Sequence, residues 1–523
     1  MTRPRILVTE NLGAAGLQYL QQRADVDAHH LLPVQELPGL MNQYDAIIIR
    51  SAHRLTRELL KDHPRLKVVA RAGAGVDNID LDAATELGIA VINAPGANAI
   101  AAAEHTFGLM LAVMRNIVAG DAHVRGGGWD RAAYLGQELH GKRLGIIGLG
   151  RVGRQVARIA HGFRLEVAAY DPFLSPDIFE AHDVRQVTQL EDLLSAVDII
   201  TIHTPKTGPH LDERLLERLP KGAIVINAAR GGLIDEGSLS RLLQAGHISG
   251  AGFDVFTSEP PKADSPLLQA PHVVTTPHLG GSTHEAMVEV GVMTARGVID
   301  ALNNQTPPNL VNVPIPDLPE RNLKTLDRAV RLLANLFSRL NEHFDTPLVL
   351  SLNHSFNPSV RPWLRQAALA WLLQERVDER VNTVNALLIA QRQGVRLLVQ
   401  GDQSDGDDPR LGLRLEGHPE TEIQVTVGAS GILLKKIAGI PVDIVWPEQA
   451  LLTRHRDAPG VVGRVGSLVG QYDVNIGQLH LGRRDPHEEA LMILTLDADP
   501  PEELLESLRR LPDIDSVYAF SHL

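Results

Sequence analysis

The sequence predicts an α/β protein in which one parallel-sheet domain is inserted into another, followed by two α+β modules. Short apolar runs alternate with helical patterns up to about residue 303, which is typical of parallel sheets covered on both faces. Two long helical patterns, 101–116 and 283–303, bracket the second part of this series and indicate the insertion. Beyond residue 313, runs that alternate apolar and polar side chains indicate half-buried strands.

The strand candidates follow in chain order. The first domain contains Ile6–Thr9, Ala46–Arg50, Val68–Ala70 and Ala90–Asn93. The inserted domain contains Leu144–Ile147, Glu166–Tyr170, Asp198–His203, Ala223–Asn227, Ser249–Asp254 and Val273–Thr276. Residues 306–318, rich in Pro and Asn, are predicted to be a linker. Residues 450–523 give the pattern βαββαβ, which is the ferredoxin-like arrangement.

Composition limits the possible functions. A chain of 523 residues is too long for one hydrophobic core. Its net charge of −13 argues against nonspecific binding to nucleic acid or to an anionic membrane. The absence of cysteine excludes disulfides, thiolate metal sites and cysteine nucleophiles, and we expect no metal. With no signal-peptide pattern and no long uncharged apolar run, we expect a soluble, cytoplasmic protein.

A dinucleotide site is predicted at Gly148, Gly150 and Gly153, which form the pattern G-x-G-x-x-G. Alone this pattern is weak, since three structural glycines in a turn would give the same letters. Here it follows an apolar strand and opens a helical pattern, and the next strand ends at Asp171. The helix N-terminus suits a pyrophosphate, and a carboxylate on the ribose repels a 2′-phosphate. We therefore predict a Rossmann-type domain that binds NAD rather than NADP.

Three polar side chains at the ends of later strands suggest oxidation of a 2-hydroxy acid. His278 suits the base that removes the hydroxyl proton. Glu259 would orient the imidazole, and Arg230 offers a fork of donors to a carboxylate. Each residue taken singly has a structural alternative as a surface or hydrogen-bonded side chain.

The segments NAARGGLIDE, AGFDVFTSEPP and TPHLGGSTHEA, in this order after GLGRVG, resemble the signature segments of the D-2-hydroxy-acid dehydrogenase family. The resemblance implies that Arg230, Glu259 and His278 are the catalytic set. It also implies that NAD is bound by the three motif glycines together with Arg151, Val152, Asp171, Thr204, Ala228, Ala229, Asp254, Gly280 and Gly281.

Further segments, IIIRSAHRLT, RAGAGVDNIDL and NAPGANAIAAAEHTFGLML, resemble the phosphoglycerate-oxidising branch of that family. The expected reaction is NAD-dependent oxidation of D-3-phosphoglycerate to 3-phosphohydroxypyruvate, the first step of L-serine biosynthesis. The resemblance places Arg50, Ser51, Arg71 and Gly73 at the substrate, with Arg131 reaching across a dimer interface. For each arginine the alternative is a solvated surface charge.

The resemblance also assigns the domains. Residues 1–98 with 287–312 would form a flavodoxin-like substrate-binding domain, and 99–286 the NAD domain. Residues 313–447 resemble an intervening allosteric substrate-binding domain, and 448–523 resemble an ACT domain, a module that senses amino acids. There His455, Asp457 and Asn475 would bind serine as a possible effector, in a homo-oligomer of two or four chains.

Two other functions stay open. One is a different 2-hydroxy-acid dehydrogenase, such as a glyoxylate or hydroxypyruvate reductase, which would need neither the two extra domains nor phosphate-binding arginines. The other is an NAD-sensing regulatory protein on the same fold, for which an acidic chain with a full catalytic set is a poor match. Turnover of NAD with phosphoglycerate and with unphosphorylated glycerate distinguishes them.

Overall fold

In a computed structural model of the chain, the described residues are 3–521 except 317, 342, 345, 375, 403–407, 429–430, 448 and 484–487. The last boundary expected from the sequence, at residue 448, therefore lies outside them. No helix among the described residues is both long enough and apolar enough to cross a membrane.

The first domain is a five-stranded parallel sheet in the order β2-β1-β3-β4-β5, the flavodoxin-like order. Its central strand β3 consists of four buried apolar residues, and β4 is buried and apolar up to Arg71 at its carboxyl end, as expected of a parallel sheet covered on both faces. Its elements are β1 (Arg5–Val8), α1 (Ala14–Gln21), β2 (Asp25–Ala28), α2 (Leu37–Leu40), β3 (Ala46–Ile49), α3 (Arg57–Leu60), β4 (Val68–Arg71), α4 (Leu81–Glu86) and β5 (Ala90–Ile92).

The inserted domain has a seven-stranded parallel sheet in the order β12-β11-β10-β9-β6-β7-β8. Its elements are α5 (Ala99–Met114), α6 (Ile117–Arg125), β6 (Arg143–Ile147), α7 (Arg151–Gly162), β7 (Glu166–Tyr170), α8 (Pro176–Ala181), β8 (Arg185–Gln186), α9 (Leu190–Ser195), β9 (Ile199–Ile202), α10 (Glu213–Leu216), β10 (Ala223–Asn227), α11 (Glu236–Gln244), β11 (Ile248–Phe253) and β12 (Val273–Thr275). This is the Rossmann order with one added strand, and the strand order reverses between β6 and β9. Ligands bind at such a reversal, beyond the carboxyl ends of the strands.

The two long helices belong to different domains. Helix α5 packs on α7 and β11 of the inserted domain, whereas α12 (His284–Leu302) packs on α1 and β4 of the first. A Cβ added at Gly16 of α1 would lie 2.8 Å from the carbonyl carbon of Gly291 in α12, so only glycine permits this approach. The predicted insertion of one α/β domain into another is confirmed.

The segment after α12 is anchored, which corrects its interpretation as a simple linker. Leu310 bridges to Ile92 of β5, and the Val311 N–H donates to the Val91 carbonyl at 2.7 Å. The Asn312 side chain accepts from the Val91 N–H at 3.0 Å and donates to the Ile89 carbonyl. Because β5 is an edge strand, these bonds satisfy backbone groups that would otherwise have no partner strand on that side.

The intervening domain combines a six-stranded sheet, in the order β14-β13-β15-β16-β17-β18, with helices that the sequence analysis did not predict. Its elements are α13 (Glu320–Leu340), β13 (Leu348–Asn353), α14 (Arg361–Leu373), α15 (Ala386–Arg392), β14 (Leu397–Asp402), β15 (Arg410–Leu415), β16 (His418–Gly428), β17 (Gly431–Ile437) and β18 (Ile440–Val445). The signal was present, because Leu326, Val330, Leu333 and Phe337 recur at helical spacing and are buried.

The last module has the antiparallel order β20-β21-β19-β22, and the predicted ferredoxin-like arrangement is confirmed. Its elements are β19 (Gln449–Arg456), α16 (Val461–Gln471), β20 (Ile476–Arg483), β21 (Glu489–Leu496), α17 (Glu502–Arg509) and β22 (Ile514–Ser521). One face of this sheet joins the apolar core of the intervening domain. Phe520 meets Trp446 edge to face at 5.5 Å between ring centroids, so the two modules share a packed interface.

Candidate active site

A cleft of about 650 Å³ lies between the first domain and the inserted domain, where loops leave the carboxyl ends of both sheets. Five cationic side chains line it against two carboxylates, those of Asp77 and Glu259. The cations are Arg50, Arg54, Arg71, Lys206 and Arg230. In a chain of net charge −13, this local excess of positive charge favours an anionic ligand in the cleft.

The glycine motif lies at the strand-order reversal. Gly148 has φ +90°, and a Cβ there would lie 2.8 Å from the carbonyl oxygen of His203 at the end of β9. A Cβ at Gly153 would collide with the Gly148 carbonyl, so α7 packs closely on β6. By contrast, a Cβ at Gly150 would meet no described atom within 4 Å. The N-terminus of α7 is therefore open for a pyrophosphate to approach, and the residues fit NAD here.

The other cofactor candidates surround this opening. Asp171 follows β7 and accepts the N–H groups of Leu149 at 3.0 Å and Phe173 at 3.1 Å, which fixes its carboxylate beside the glycine loop. Arg151 and Val152 begin α7. The hydroxyl of Thr204 is buried and has no hydrogen-bond partner among the described residues, as expected of a group that awaits a ligand.

The predicted base and its carboxylate are in contact: His278 Nδ1 lies 2.8 Å from Glu259 Oε2. The other oxygen, Glu259 Oε1, accepts the Phe256 N–H at 3.1 Å. Backbone also fixes the histidine, since the His278 N–H donates to the Asp254 carbonyl at 2.8 Å and its φ is +56°. The geometry matches a base whose tautomer is held by a carboxylate.

Asp254 holds the loop that carries His278. Its buried carboxylate accepts the N–H groups of Leu279 at 2.7 Å and Gly280 at 2.8 Å, and the Thr276 hydroxyl at 2.6 Å. Burial alone would raise the pKa of Asp254, but these donors together with His105 hold it below its usual value. The carboxylate therefore stays ionised and keeps the loop in place.

Small residues follow β10 and the loop that carries His278. Ala228 and Ala229 follow β10, and the Ala229 N–H donates to the Asn227 side chain at 3.1 Å. A Cβ at Gly281 would lie 2.7 Å from Nδ2 of Asn98, so an alanine here would require that amide to move.

Arg230 extends from the inserted domain toward the first. Its Nε donates to Asp77 Oδ2 at 3.2 Å, and its Nη1 donates to the Ala229 carbonyl at 2.7 Å. A Cβ at Gly75 would collide with its Nη2, so the guanidinium lies against the backbone of the first domain. Arg230 thus spans the cleft with part of its donor fork open to a ligand.

Arg71 completes the cationic wall on the first domain. Its Nη1 donates to the Gly75 carbonyl at 2.8 Å, and Gly73 leaves room for it, because a Cβ there would lie 2.7 Å from the same nitrogen. Burial, followed by the charges of Arg230 and Arg50, lowers the pKa of Arg71 from its usual value. An anion that enters this cluster relieves the mutual repulsion. Arg50 and Ser51 line the same cleft.

Several sequence candidates lie away from the cleft. Arg131 is exposed at the start of a short 3-10 turn, residues 132–134, and does not line the cleft of its own chain. His455 is buried within β19, and burial lowers its pKa. Asp457 Oδ2 accepts from Arg483 at 3.4 Å, and the Asn475 amide donates to Asp497 at 2.6 Å. Within one chain, the three candidate regulatory residues thus contact protein groups.

Sequence reasoning missed several residues that the fold places at or behind the site, among them Lys206, which lines the cleft. Asp77 and Arg54 line the cleft, whereas His105 and Glu10 support its loops. His203 lies below the glycine loop, and burial lowers its pKa to about 4, so its ring is neutral. Asp77, His105 and Arg54 lie within segments already quoted, RAGAGVDNIDL, NAPGANAIAAAEHTFGLML and IIIRSAHRLT, whereas no motif marked Glu10, His203 or Lys206.

The comparisons with known proteins agree with this geometry. Residues 107–280 match the family described as D-isomer specific 2-hydroxyacid dehydrogenase, NAD binding domain, and residues 450–513 match the ACT domain. The D-3-phosphoglycerate dehydrogenase of Methanocaldococcus jannaschii is 35% identical over 98% of this chain and 99% of its own length. That of Bacillus subtilis is 34% identical over 98% of both.

Solved structures match a shorter part of the chain. The TT0316 protein from Thermus thermophilus is 34% identical and has a TM-score of 0.55, covering 59% of this chain and 99% of its own. A glyoxylate reductase from Paecilomyes thermophila is 28% identical with a TM-score of 0.54, covering 60% and 99%. The two D-3-phosphoglycerate dehydrogenases, by contrast, are similar to this chain over 98% of its length.

Proposed function

Because the chain belongs to the D-isomer specific 2-hydroxyacid dehydrogenase family and is related over its whole length to D-3-phosphoglycerate dehydrogenases, we propose that it oxidises D-3-phosphoglycerate to 3-phosphohydroxypyruvate with NAD, the first step of L-serine biosynthesis. One observation carries the proposal: a cleft with five cationic side chains contains a histidine paired with a glutamate. The substrate brings a carboxylate and a phosphate to the same cleft, which such a charge excess favours.

The roles follow from where the side chains lie. His278 takes the proton of the substrate hydroxyl while Glu259, 2.8 Å away, holds the ring and stabilises the imidazolium. Arg230 binds the carboxylate with the part of its fork that Asp77 leaves open. NAD supplies the hydride acceptor when bound. The glycine loop, Asp171 and the Thr204 hydroxyl would hold it.

On the wall of the cleft that the first domain forms, Arg50 and Arg71 with Ser51 and Gly73 bind the phosphate. A phosphate is best held by several donors that are already clustered, and Arg71 is desolvated before the ligand arrives. Arg131, exposed and outside its own cleft, contributes to the cleft of a second copy in a dimer or tetramer.

Comparative turnover tests the reaction. The wild-type protein with NAD should oxidise 3-phosphoglycerate with a kcat/KM at least about 100-fold above that for unphosphorylated glycerate, because the phosphate binds several arginines. Comparable values for the two substrates, or faster reduction of glyoxylate, would assign the chain to another 2-hydroxy-acid dehydrogenase. No turnover of NAD with any of these acids would reject the enzymatic proposal.

The ACT module provides a second, separate part of the proposal: serine binds at Asp457 and Asn475 between two chains and changes activity through their arrangement. Each side chain already has a polar partner, Arg483 and Asp497, so a ligand would exchange these contacts for its own. Calorimetry should show serine binding to the wild type and to Asp499→Ala, an exposed control, but at least tenfold weaker binding to Asp457→Ala.

A cysteine-free chain suits the reducing cytoplasm, which we propose as the location of this protein.

A further inference from the structure

The loop that carries Arg50 is built around a carboxylate from another strand end. Glu10, which follows β1, accepts the N–H of Arg50 at 2.8 Å through Oε1 and the N–H of Ser51 at 3.2 Å through Oε2. Both oxygens lie 3.3 Å from the N–H nitrogen of Ala52. Three successive backbone donors therefore converge on one carboxylate, which fixes the loop over residues 50–52.

A second set of bonds holds the same loop from its carbonyl side. The Asn78 amide donates to the carbonyls of Arg50 and His53, each at 2.7 Å. The His53 ring is buried and places Nδ1 3.2 Å from Glu10 Oε1. With N–H groups bound on one side and carbonyls on the other, the direction in which the loop presents its side chains is determined.

Two arginines face the cleft from this segment, Arg50 within the loop and Arg54 directly after His53. Arg50 donates to the Asn11 carbonyl at 3.3 Å. The Arg54 side chain, by contrast, has no hydrogen bond or ion pair with any residue that the structure describes. Glu10 itself is nine-tenths buried and does not line the cleft. Both oxygens of the Glu10 carboxylate thus accept hydrogen bonds from the loop on the side away from the cleft, while the arginine side chains carry positive charge on the side that faces the cleft.

We propose that Glu10 is a positioning residue for phosphate recognition, and that the loop it fixes directs Arg54 as well as Arg50 at the phosphate of the substrate. The inference rests on the proposed function and deepens it, since it concerns how the same cleft distinguishes phosphorylated from unphosphorylated acids. Glu10 touches neither substrate nor cofactor and acts through the backbone of residues 50–52.

The variant Glu10→Gln tests the positioning role with little change of shape. Its amide keeps one acceptor but turns two donors toward N–H groups that had an oxygen, so the loop loses its alignment. We expect KM for 3-phosphoglycerate to rise about tenfold while KM for glycerate and kcat change less than about twofold, because a charge-assisted contact is lost at the phosphate alone. Glu10→Asp, which keeps both acceptors, should recover much of the loss.

The variant Arg54→Ala tests the directed side chain and should raise KM for 3-phosphoglycerate by a similar factor, again sparing glycerate. Matched controls are Glu36→Gln, an exposed carboxylate in the same domain, and Arg57→Ala, an arginine of the same segment that pairs with Glu86 and does not line the cleft. Both controls should keep the wild-type ratio of the two KM values.

Calorimetry with 3-phosphoglycerate separates this inference from the proposed function. If the wild type binds 3-phosphoglycerate without oxidising it, the proposed function fails, and the affinities of Glu10→Gln and Arg54→Ala still decide the inference. If both variants bind and oxidise 3-phosphoglycerate as the wild type does, or lose both substrates equally, the inference is wrong. A wild type that neither binds nor oxidises 3-phosphoglycerate rejects both.

Discussion

Asp77 of the first domain accepts a hydrogen bond from Nε of Arg230 of the inserted domain at 3.2 Å, so an ion pair connects the two walls of the cleft. Nη1 of the same guanidinium donates to the Ala229 carbonyl, and Nη2 lies against the backbone at Gly75. Arg230, which we propose to bind the substrate carboxylate, is therefore oriented by both domains, and its donor fork is in place before a ligand arrives.

Loss of this contact should reduce catalysis without affecting the cofactor. Asp77→Ala frees Nε of Arg230, and we expect kcat/KM for 3-phosphoglycerate to fall about tenfold, or about 1.4 kcal/mol, with KM for NAD unchanged. The effect should be modest because Asp77 is half exposed. Steady-state kinetics with Asp82→Ala, an exposed aspartate of α4, provides the control. An unchanged kcat/KM would show that Arg230 does not depend on Asp77.

The His278–Glu259 pair should govern kcat. His278→Ala removes the base and should lower kcat by about 100-fold or more. Glu259→Gln keeps a hydrogen bond to the ring but removes the charge that stabilises the imidazolium, so a smaller loss of about tenfold is expected. NAD affinity, measured by fluorescence titration, should stay near the wild-type value in both. Wild-type turnover in His278→Ala would refute the assignment of the base.

Asp171 should determine the choice between NAD and NADP. Its carboxylate is held beside the glycine loop by the N–H groups of Leu149 and Phe173. Asp171→Asn keeps the shape and removes the charge that repels a 2′-phosphate, so the ratio of kcat/KM for NAD to that for NADP should fall at least tenfold. The exposed Asp177→Asn of α8 should leave the ratio unchanged. A ratio that does not move in Asp171→Asn would place the ribose elsewhere.

Asp327 makes stability depend on pH at the junction of the first and intervening domains. Burial raises its pKa to about 6, and the Thr306 hydroxyl, which donates to it at 2.9 Å, only partly offsets this shift. Because the folded pKa lies above the unfolded value of about 3.9, the folded chain binds the proton more tightly. This group therefore lowers stability as pH rises from about 4 to about 6, and the full cost persists above pH 6.

Asp327→Asn keeps an acceptor for Thr306 and removes the buried charge. The variant should be more stable than the wild type by about 1–3 kcal/mol at about pH 8, with no difference below about pH 4. Urea unfolding of both proteins across this pH range measures the difference, with the exposed Asp378→Asn as control. A variant that is less stable than the wild type at the alkaline end would contradict the prediction.

Local sequence patterns were sufficient to predict those elements that depend on neighbouring residues in the chain. The strand, turn and helix around the glycine motif and the βαββαβ tail are confirmed, because each depends on residues close together in the chain. Elements without a distinct local pattern were missed. The edge strand β2, with sequence DVDA, has three exposed residues of four, and β8 has only two residues. Both form because a neighbouring strand offers unpaired backbone groups.

The sequence by itself thus determined the family and the cofactor class, and it supplied the residues that we propose as the catalytic set. Only the tertiary structure decided which charges face one another: that Asp77 orients Arg230, that Asp254 holds the His278 loop, and that Glu10 fixes the loop of Arg50. The partners in these contacts are 153, 26 and 40 residues apart in the chain. Hydrogen bonds act over about 3 Å, so pairs this far apart in sequence exist only once the fold brings strand ends together, within one sheet for Asp254 and Glu10 and between the two sheets for Asp77.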